Sequence, residues 1–178
     1  MFLDLISQRR SIRRYDPKPV EGEILDKLVE TALRAPSSRG LNPWTFIFVT
    51  NPDTIGKLSE AKPHGASFLR KAPLAVVVCA NPGISDVWVE DAAIASIFLH
   101  LAAADLGLGS CWIQIRKRMH NEKLSAHEYV AQLLGLPATL DVDAIIAMGY
   151  PAETKNPHRK NSLQYEKIHY NQYGRKNQ

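Results

Sequence analysis

The chain has 178 residues, of which 45% are hydrophobic and 22% are charged; this size and balance are typical of one globular domain and exclude a disordered chain. The formal net charge is +4. It is unevenly distributed, because residues 1–18 carry five Lys/Arg against two Asp/Glu and residues 151–178 carry six against two, which leaves 11 basic and 14 acidic residues between them. Two cationic ends of this kind either act as nucleic-acid arms or meet at one anionic ligand. No DNA- or RNA-binding motif is recognisable, so we expect no nucleic-acid partner.

The hydrophobic pattern predicts helices and strands in alternation. Apolar residues from Ile24 to Leu33 recur at three- and four-residue spacing and indicate one buried helix face. The run LAVVVCA at 74–80 is apolar throughout, as in a central strand covered on both faces. The predicted elements are, in chain order, a helix at 2–8, a helix at 21–34, a strand at 45–50, a helix capped by Asn51-Pro52, a strand at 74–80, a helix at 88–106, a strand at 110–115, a helix at 121–134 and a strand at 142–148.

The predicted helix 88–106 is apolar nearly all round and about 28 Å long. Glu90, Asp91, His100 and Asp105 would be expensive in a bilayer, so we expect a helix buried in a globular protein, with no membrane partner. A chain of this size can hardly cover such a helix alone. We therefore expect a second subunit to cover part of it, and the tail 151–178, which has little core of its own, to wrap around that partner.

Cysteines and the amino-terminal sequence bear on the compartment. Cys79 and Cys111 both lie in apolar runs, too few for a disulfide framework and without the nearby histidines of a zinc site, so we expect no metal. The opening residues lack a basic segment followed by a long apolar stretch, so we expect no signal peptide. A cytoplasmic protein is the resulting prediction.

No hydrolytic or nucleotide-binding motif is present, which indicates that any chemistry is borrowed from a cofactor. Leu106-Gly107-Leu108-Gly109-Ser110 follows a helix and precedes a strand, and a helix C-cap accounts for both of its glycines. Four segments carry groups that could bind a cofactor. Arg9-Arg10-Ser11-Ile12-Arg13 offers cations and a hydroxyl suited to a phosphate through charge-assisted hydrogen bonds. Ala35-Pro36-Ser37-Ser38 with Asn42-Pro43-Trp44 presents hydroxyls, an amide and free backbone groups, Ser110-Cys111-Trp112-Ile113 a thiol and an indole, and His158-Arg159-Lys160 a second group of cations. Taken singly, each has an ordinary alternative: a solvated helix end, a helix stop, plain core and a solubilising tail.

In this order the segments resemble the flavin-dependent nitroreductase family. The family opening R-R-S-x-R-x-Y/F-D is matched by residues 9–16, and its A-P-S-S-x-x-x-Q-P-W by residues 35–44 with Asn42 in place of glutamine. Its small-residue helix with an acidic start resembles residues 90–95, its L-G-x-x-x-C-W resembles residues 106–112, and its G-Y-P is Gly149-Tyr150-Pro151. The likeness covers almost the whole chain.

The resemblance implies one α+β domain over residues 1–178, a three-layer α/β/α sandwich around a mixed or antiparallel sheet. It further implies a homodimer with interleaved termini that binds FMN at the subunit interface. Residue by residue, it implies that Arg9, Arg10, Ser11 and Arg13 hold the ribityl phosphate with Arg159 and Lys160. Pro36, Ser37 and Ser38 of the partner subunit would lie against the ring, and Asn42 near the ribityl chain or the ring edge. Trp112, Ile113 and Gln114 would line the other side of the ring.

The implied reaction is hydride transfer from NADH or NADPH through FMN to a nitroaromatic, quinone or similar small acceptor, in ping-pong order and without a catalytic side chain. After Trp112-Ile113 many members carry Glu-Gly or Gly-Gly, where this chain has Gln114-Ile115-Arg116. Three alternatives stay open: a flavin-fragmenting or dehalogenating member of the same superfamily, a flavin carrier without chemistry, and a basic nucleic-acid-binding module.

Overall fold

A computed structural model describes residues 1–176; Asn177 and Gln178, the last residues of the predicted tail, lie outside the described residues. Helices and strands alternate as predicted. The helices are α1 Phe2–Gln8, α2 Gly22–Leu33, α3 Pro52–Leu58, α4 Trp88–Asp105 and α5 Ala126–Leu134, and the strands are β1 Trp44–Val49, β2 Leu74–Ala80, β3 Gly109–Gln114 and β4 Asp141–Gly149.

The four strands form one antiparallel sheet in the order β1-β2-β4-β3. All seven residues of β2 are buried, because β2 lies between β1 and β4 and has helices over both faces. The prediction of a central, doubly covered strand is confirmed, and so is the α+β class.

Two hydrophobic clusters divide the core, and residues of β2 alternate between them. Val77 and Cys79 pack with α3 and α5, whereas Val76 and Val78 pack with α2 and α4. This alternation follows from the strand period of two, which directs successive side chains to opposite faces. The N-terminal residues Ile12 and Tyr15 belong to the first of these clusters.

Helix α5 begins five residues later than predicted. Ser125 is its N-cap: its Oγ accepts from the Glu128 amide at 3.1 Å, while the Glu128 carboxylate accepts from the Ser125 amide at 2.8 Å. Residues 121–124 form a turn instead, because the Asn121 side chain accepts from the amides of Lys123 and Leu124. The Ser-x-x-Glu capping box was the sequence signal for this boundary.

Helix α4 is buried along one side only. Ala92, Leu99 and Ala103 are fully buried, whereas Ile97 is 44% exposed and Phe98 36% exposed. The single chain therefore leaves an apolar face of α4 open, as expected for a helix that a chain of this size cannot cover alone; its burial by a second subunit stays a prediction. Leu33 of α2, expected on the buried face, is 60% exposed because it lies in the last turn of the helix.

The N-terminal segment 9–16 lies against one end of the sheet, where Ser11 bridges Ser110 and Tyr15 bridges Pro151. This packing demands glycine at two places. A Cβ at Gly109 would lie 2.7 Å from Ile12 Cβ, and one at Gly149 would lie 2.7 Å from Pro73 Cγ. The prediction that a helix cap explains Gly109 is therefore wrong, because close approach requires it.

The residues after Pro151 extend over the surface without a helix longer than one turn. Five large side chains of this tail are at least 44% exposed, namely Leu163, Tyr165, Ile168, Tyr170 and Tyr173. Their exposure in the single chain is compatible with the predicted contact to a partner subunit, which stays a prediction. Among residues 1–176, every helix is too short or too polar to cross a bilayer.

Candidate functional site

A cationic cavity of about 330 Å³ lies where α1, the end of α4 and the start of β3 meet. Arg9, Arg10 and Lys155 line it together with one carboxylate, that of Glu153. Lys155 Nζ donates to the Ser11 carbonyl at 2.7 Å and lies 3.3 Å from Glu153 Oε1, which also accepts from the Arg13 amide at 2.6 Å. The lining therefore keeps an excess of positive charge.

The same cations surround Cys111 on β3. Burial raises the pKa of the Cys111 thiol, and the positive charges of Arg13, Lys155 and Arg9 act in the opposite direction. The Arg13 guanidinium lies over the Phe68 ring, 5.7 Å from its centroid, a cation–π contact that fixes the side chain. Of the four residues predicted to bind the phosphate, the structure therefore brings Arg9 and Arg10 to the cavity, whereas Ser11 and Arg13 do not line it.

A hydrogen-bonded chain runs along one face of β3. His100 Nδ1 is 2.7 Å from Ser110 Oγ, and the His100 ring stacks on Trp112 with centroids 6.5 Å apart. Trp112 Nε1 donates to Gln114 Oε1 at 3.0 Å, and Gln114 Nε2 donates to the Arg116 carbonyl at 3.0 Å. Trp112 and Gln114 are half-buried on this face. Ile113 points to the opposite face and is only 1% exposed, so it can offer a ligand only its backbone.

His100 is a site residue that the sequence reasoning missed. It is buried in α4, and burial, reinforced by the charge of Arg9, lowers its pKa to about 4. The imidazole is therefore neutral at neutral pH and acts as a hydrogen-bonding and stacking group. A lone histidine within an apolar helix was the available signal, but such a residue is more often satisfied core than site.

The loop 35–43 is anchored to the start of α4 by a buried carboxylate. Asp91 is 2% exposed and accepts from the Ser38 amide at 2.7 Å and from Ser85 Oγ at 2.8 Å. Ser37 Oγ donates to Asn42 Oδ1 at 2.7 Å and accepts from the Asn42 amide at 2.8 Å. The predicted contact residue Pro36 is exposed, and Ser37 and Ser38 are half-buried, so this anchored loop presents polar groups outward.

The tail cations lie elsewhere. Arg159 and Lys160 are exposed at the one-turn helix Lys160–Ser162, and neither lines the cavity around Arg9. Lys155, which the sequence reasoning did not single out, supplies the tail's cation there. Whether Arg159 and Lys160 reach a phosphate in another subunit stays a prediction.

The described residues thus combine an antiparallel sheet, a cationic cavity beside its edge strand β3 and a polar loop anchored by Asp91. The sequence matches the family model described as the nitroreductase family over residues 6–63 and 60–150. The chain belongs to this family and is thereby an oxidoreductase, which confirms the resemblance drawn from the sequence.

Known relatives agree with that assignment. An FMN-dependent nitroreductase from Clostridium difficile has a structure similar to this one, with a TM-score of 0.95 and 42% identity over 96% of this chain and 99% of that one. An Archaeoglobus fulgidus protein provisionally named NADH dehydrogenase/NAD(P)H nitroreductase is 37% identical over 86% of this chain and 87% of its own length. Rat iodotyrosine deiodinase 1 is 42% identical over 59 residues, 33% of this chain.

Proposed function

We propose that this chain is an FMN-dependent oxidoreductase that passes a hydride from NADH or NADPH to a small nitroaromatic, quinone or similar acceptor in a ping-pong sequence. Family membership and the C. difficile structural relative support FMN and a nicotinamide reductant. The observation within this chain that carries the proposal is the cluster of Arg9, Arg10 and Lys155 around one cavity beside β3.

The cationic cavity suits the phosphate of FMN in charge. A phosphate near neutral pH carries close to two negative charges, which several cations bind through short charge-assisted hydrogen bonds. Glu153 offsets at most one of the three cations, that of Lys155, from which it lies 3.3 Å away, so the lining keeps a net positive charge. In this arrangement Arg9, Arg10 and Lys155 bind the phosphate, whereas Ser11 and Arg13 do not line the cavity.

Trp112 and Gln114, further along β3, would contact the ring of the cofactor. Trp112 and Gln114 are tied to each other by a side-chain hydrogen bond, so their positions are fixed before a ligand arrives, which lowers the entropic cost of binding. Pro36, Ser37, Ser38 and Asn42 would come from the partner's copy of the anchored loop. When bound, FMN supplies hydride acceptance and donation, and this chain supplies binding, orientation and exclusion of water.

We further propose that the working form is a homodimer of three-layer, single-domain subunits. The open apolar face of α4, with Ile94, Ile97 and Phe98 each at least 36% exposed, is a surface that water disfavours and a second α4 would cover. The exposed aromatic residues of the tail fit the same role. A cytoplasmic location is part of the proposal, because the free thiols Cys79 and Cys111 are both buried and unpaired.

A second candidate function is reductive dehalogenation. The 59-residue match to rat iodotyrosine deiodinase 1 favours it, although that match leaves two thirds of the chain uncovered. Assaying nitro, quinone and iodophenol acceptors side by side with one reductant would separate the two functions, since the dehalogenase alternative predicts iodide release and slow nitro reduction.

The phosphate assignment is tested by FMN affinity. We expect Arg9→Ala to raise the Kd for FMN by about tenfold or more, because it removes a charge-assisted contact worth roughly 1.5–3 kcal/mol. Arg13→Ala should raise the Kd less, because Arg13 lies near the cavity without lining it. Arg34→Ala is the matched control, since Arg34 is an exposed arginine paired with Glu30 on α2. An unchanged Kd in both site variants would refute the assignment.

The reaction order is tested by initial rates. Varying NADH or NADPH at several fixed acceptor concentrations should give parallel double-reciprocal lines. Intersecting lines would contradict alternate use of one site. A protein that binds FMN yet leaves NADH and NADPH unoxidised would instead be the carrier alternative.

A further inference from the structure

A second cavity, of about 370 Å³, lies at the opposite end of β3 from the cavity around Arg9. It opens where the chain leaves β3, between the start of α4 and the start of α5. Its lining combines an indole, three consecutive basic residues, apolar side chains and one imidazole–carboxylate pair: Trp88, Arg116, Lys117, Arg118, Met119, Ser125, His127, Asp141 and Val142. We call it the Arg116 pocket.

Local backbone structure fixes the three cations of the Arg116 pocket. The amides of Ile115 and Arg116 both donate to the Asp143 carbonyl, at 3.2 and 2.9 Å, and Lys117 adopts φ 57° in the turn that follows. The turn thus presents three basic side chains within one cavity. Among residues 1–176 none of the three forms an ion pair within 4.0 Å, so their charge is available to a ligand.

Arg116 is preorganised for a planar anion. Its guanidinium lies over the Trp88 ring, 5.6 Å from the centroid. This cation–π contact holds the side chain beside Trp88, and among residues 1–176 the guanidinium forms no ion pair, so its N–H groups are available to a ligand. Two parallel N–H groups match the two oxygens of a carboxylate.

The acidic groups near the Arg116 pocket do not neutralise it. Asp141 lies 3.4 Å from His127 Nε2, and His127 Nδ1 accepts from the Val142 amide, so this carboxylate is engaged with the imidazole. Asp143 is buried behind the pocket, and burial raises its pKa while the charge of Arg116 opposes that rise. Three cations therefore face one engaged carboxylate and one buried carboxyl.

The Arg116 pocket is joined directly to the residues assigned to the cofactor ring, because Gln114 Nε2 donates to the Arg116 carbonyl. We propose that the Arg116 pocket binds the carboxylate of an aromatic electron acceptor and that carboxylated nitroaromatics are the preferred acceptor class of this protein. The inference rests on the proposed function, and it deepens that function by naming the acceptor. Trp88 and Met119, which is 51% exposed, contact the acceptor's apolar body, and Arg116 contacts its charge.

The test compares 4-nitrobenzoate with its uncharged methyl ester as acceptors. We expect the wild-type protein to favour the carboxylate, and Arg116→Gln to raise the KM for the carboxylate by about tenfold, the size of one charge-assisted contact, with little change for the ester. Arg116→Lys should recover part of the preference, because it restores charge but not the planar fork. Lys71→Gln, which removes an equal charge from an exposed site outside the pocket, should leave both acceptors unchanged.

A binding measurement supports the kinetics without turnover. Calorimetric titration of 4-nitrobenzoate into the oxidised protein, with no nicotinamide present, should show an affinity that falls about tenfold in Arg116→Gln and also falls in Arg118→Gln. It should weaken further with added salt, because partly exposed charges are screened. A carboxylate-to-ester preference that is identical in the wild-type protein and Arg116→Gln would overturn the inference.

Two further outcomes would separate the carboxylate site from other roles of the pocket and from the proposed function. If Arg116→Gln lowers the preference for NADPH over NADH and leaves the acceptor preference unchanged, the pocket binds a nucleotide phosphate and the inference is wrong. If the protein takes up no FMN but 4-nitrobenzoate still binds in an Arg116-dependent way, the proposed function fails while the carboxylate site stands. Absence of both kinds of binding would overturn both.

Discussion

Asp143 gives the structure a stability that depends on pH. The residue is 2% exposed, and its Oδ2 has no hydrogen-bond partner among residues 1–176. Burial raises its pKa from 3.8 to about 6, with the charge of Arg116 acting in the opposite direction. Replacing the carboxylic acid by the isosteric amide in Asp143→Asn removes this titration and keeps the side-chain volume.

The sign and size of the effect follow from proton linkage. Between pH 4 and pH 6 the native state holds a proton on Asp143 that the unfolded chain has released, so the free energy of unfolding falls as pH rises through this range. Each unit of pKa difference is worth ~1.4 kcal/mol, and the span from 3.8 to about 6 therefore corresponds to ~3 kcal/mol. Between pH 4 and pH 8 the free energy of unfolding of the wild-type protein falls by that amount through Asp143, and that of Asp143→Asn does not.

Urea unfolding at a series of pH values measures this directly, with protein and FMN concentrations held constant. We expect the free energy of unfolding of Asp143→Asn, relative to wild type, to rise by ~3 kcal/mol between pH 4 and pH 8. All other titrating groups cancel in that difference. Parallel pH profiles for the two proteins would refute the assignment of a raised pKa to Asp143.

Three further substitutions test packing and anchoring. Gly149→Ala should destabilise the protein by about 1–3 kcal/mol in urea unfolding, because the new Cβ meets Pro73, whereas Gly56→Ala, in open space on α3, should stabilise it by roughly 0.5–1 kcal/mol. Asp91→Ala should speed hydrogen exchange of the Ser38 amide at least about tenfold, since that amide loses its acceptor. Ser125→Ala should cost about 1 kcal/mol of unfolding free energy through loss of the α5 cap, and Ser125→Asp should retain most of it.

The opposite result for each of these substitutions would identify the structural assumption that fails. A neutral Gly149→Ala would mean that the end of β4 can move away from Pro73. Unchanged exchange at Ser38 would mean that the loop 35–43 is held by contacts other than Asp91. A Ser125→Ala protein as stable as wild type would mean that the turn at 121–124 alone sets the start of α5.

The sequence predicted those elements whose apolar pattern is local and uninterrupted. The all-apolar β2 has its predicted bounds, and α4 differs by one residue, because burial of such runs leaves few alternative structures. The start of α5 depended on a side-chain cap, and Gly109 depended on contact with Ile12, about 100 positions earlier in the chain. Long-range packing of that kind leaves no signal in a local window.

The residues of the candidate site also fall into those that the sequence predicted and those that depend on tertiary structure. Arg9, Arg10, Ser11 and Arg13 are consecutive or nearly so, and a dense basic cluster indicated a phosphate before the fold was known. Lys155 and His100 reach the same region through the ordering of the tail and the packing of α4 on β3, so their roles depend on tertiary structure. The Arg116 pocket could not be predicted from the sequence either, because it depends on the tertiary contact between Arg116 and Trp88.

The central claim is that the cations around Arg9 bind the phosphate of FMN in an oxidoreductase. Titration of the flavin-stripped protein with FMN, followed by flavin fluorescence and visible absorption, tests it most directly. We predict saturable binding of one FMN per chain, bleaching of the bound flavin by NADH or NADPH without air, and much weaker binding of riboflavin, which lacks the phosphate. A protein that binds no FMN at concentrations well above those of the titration, or that binds riboflavin equally well, would contradict the account.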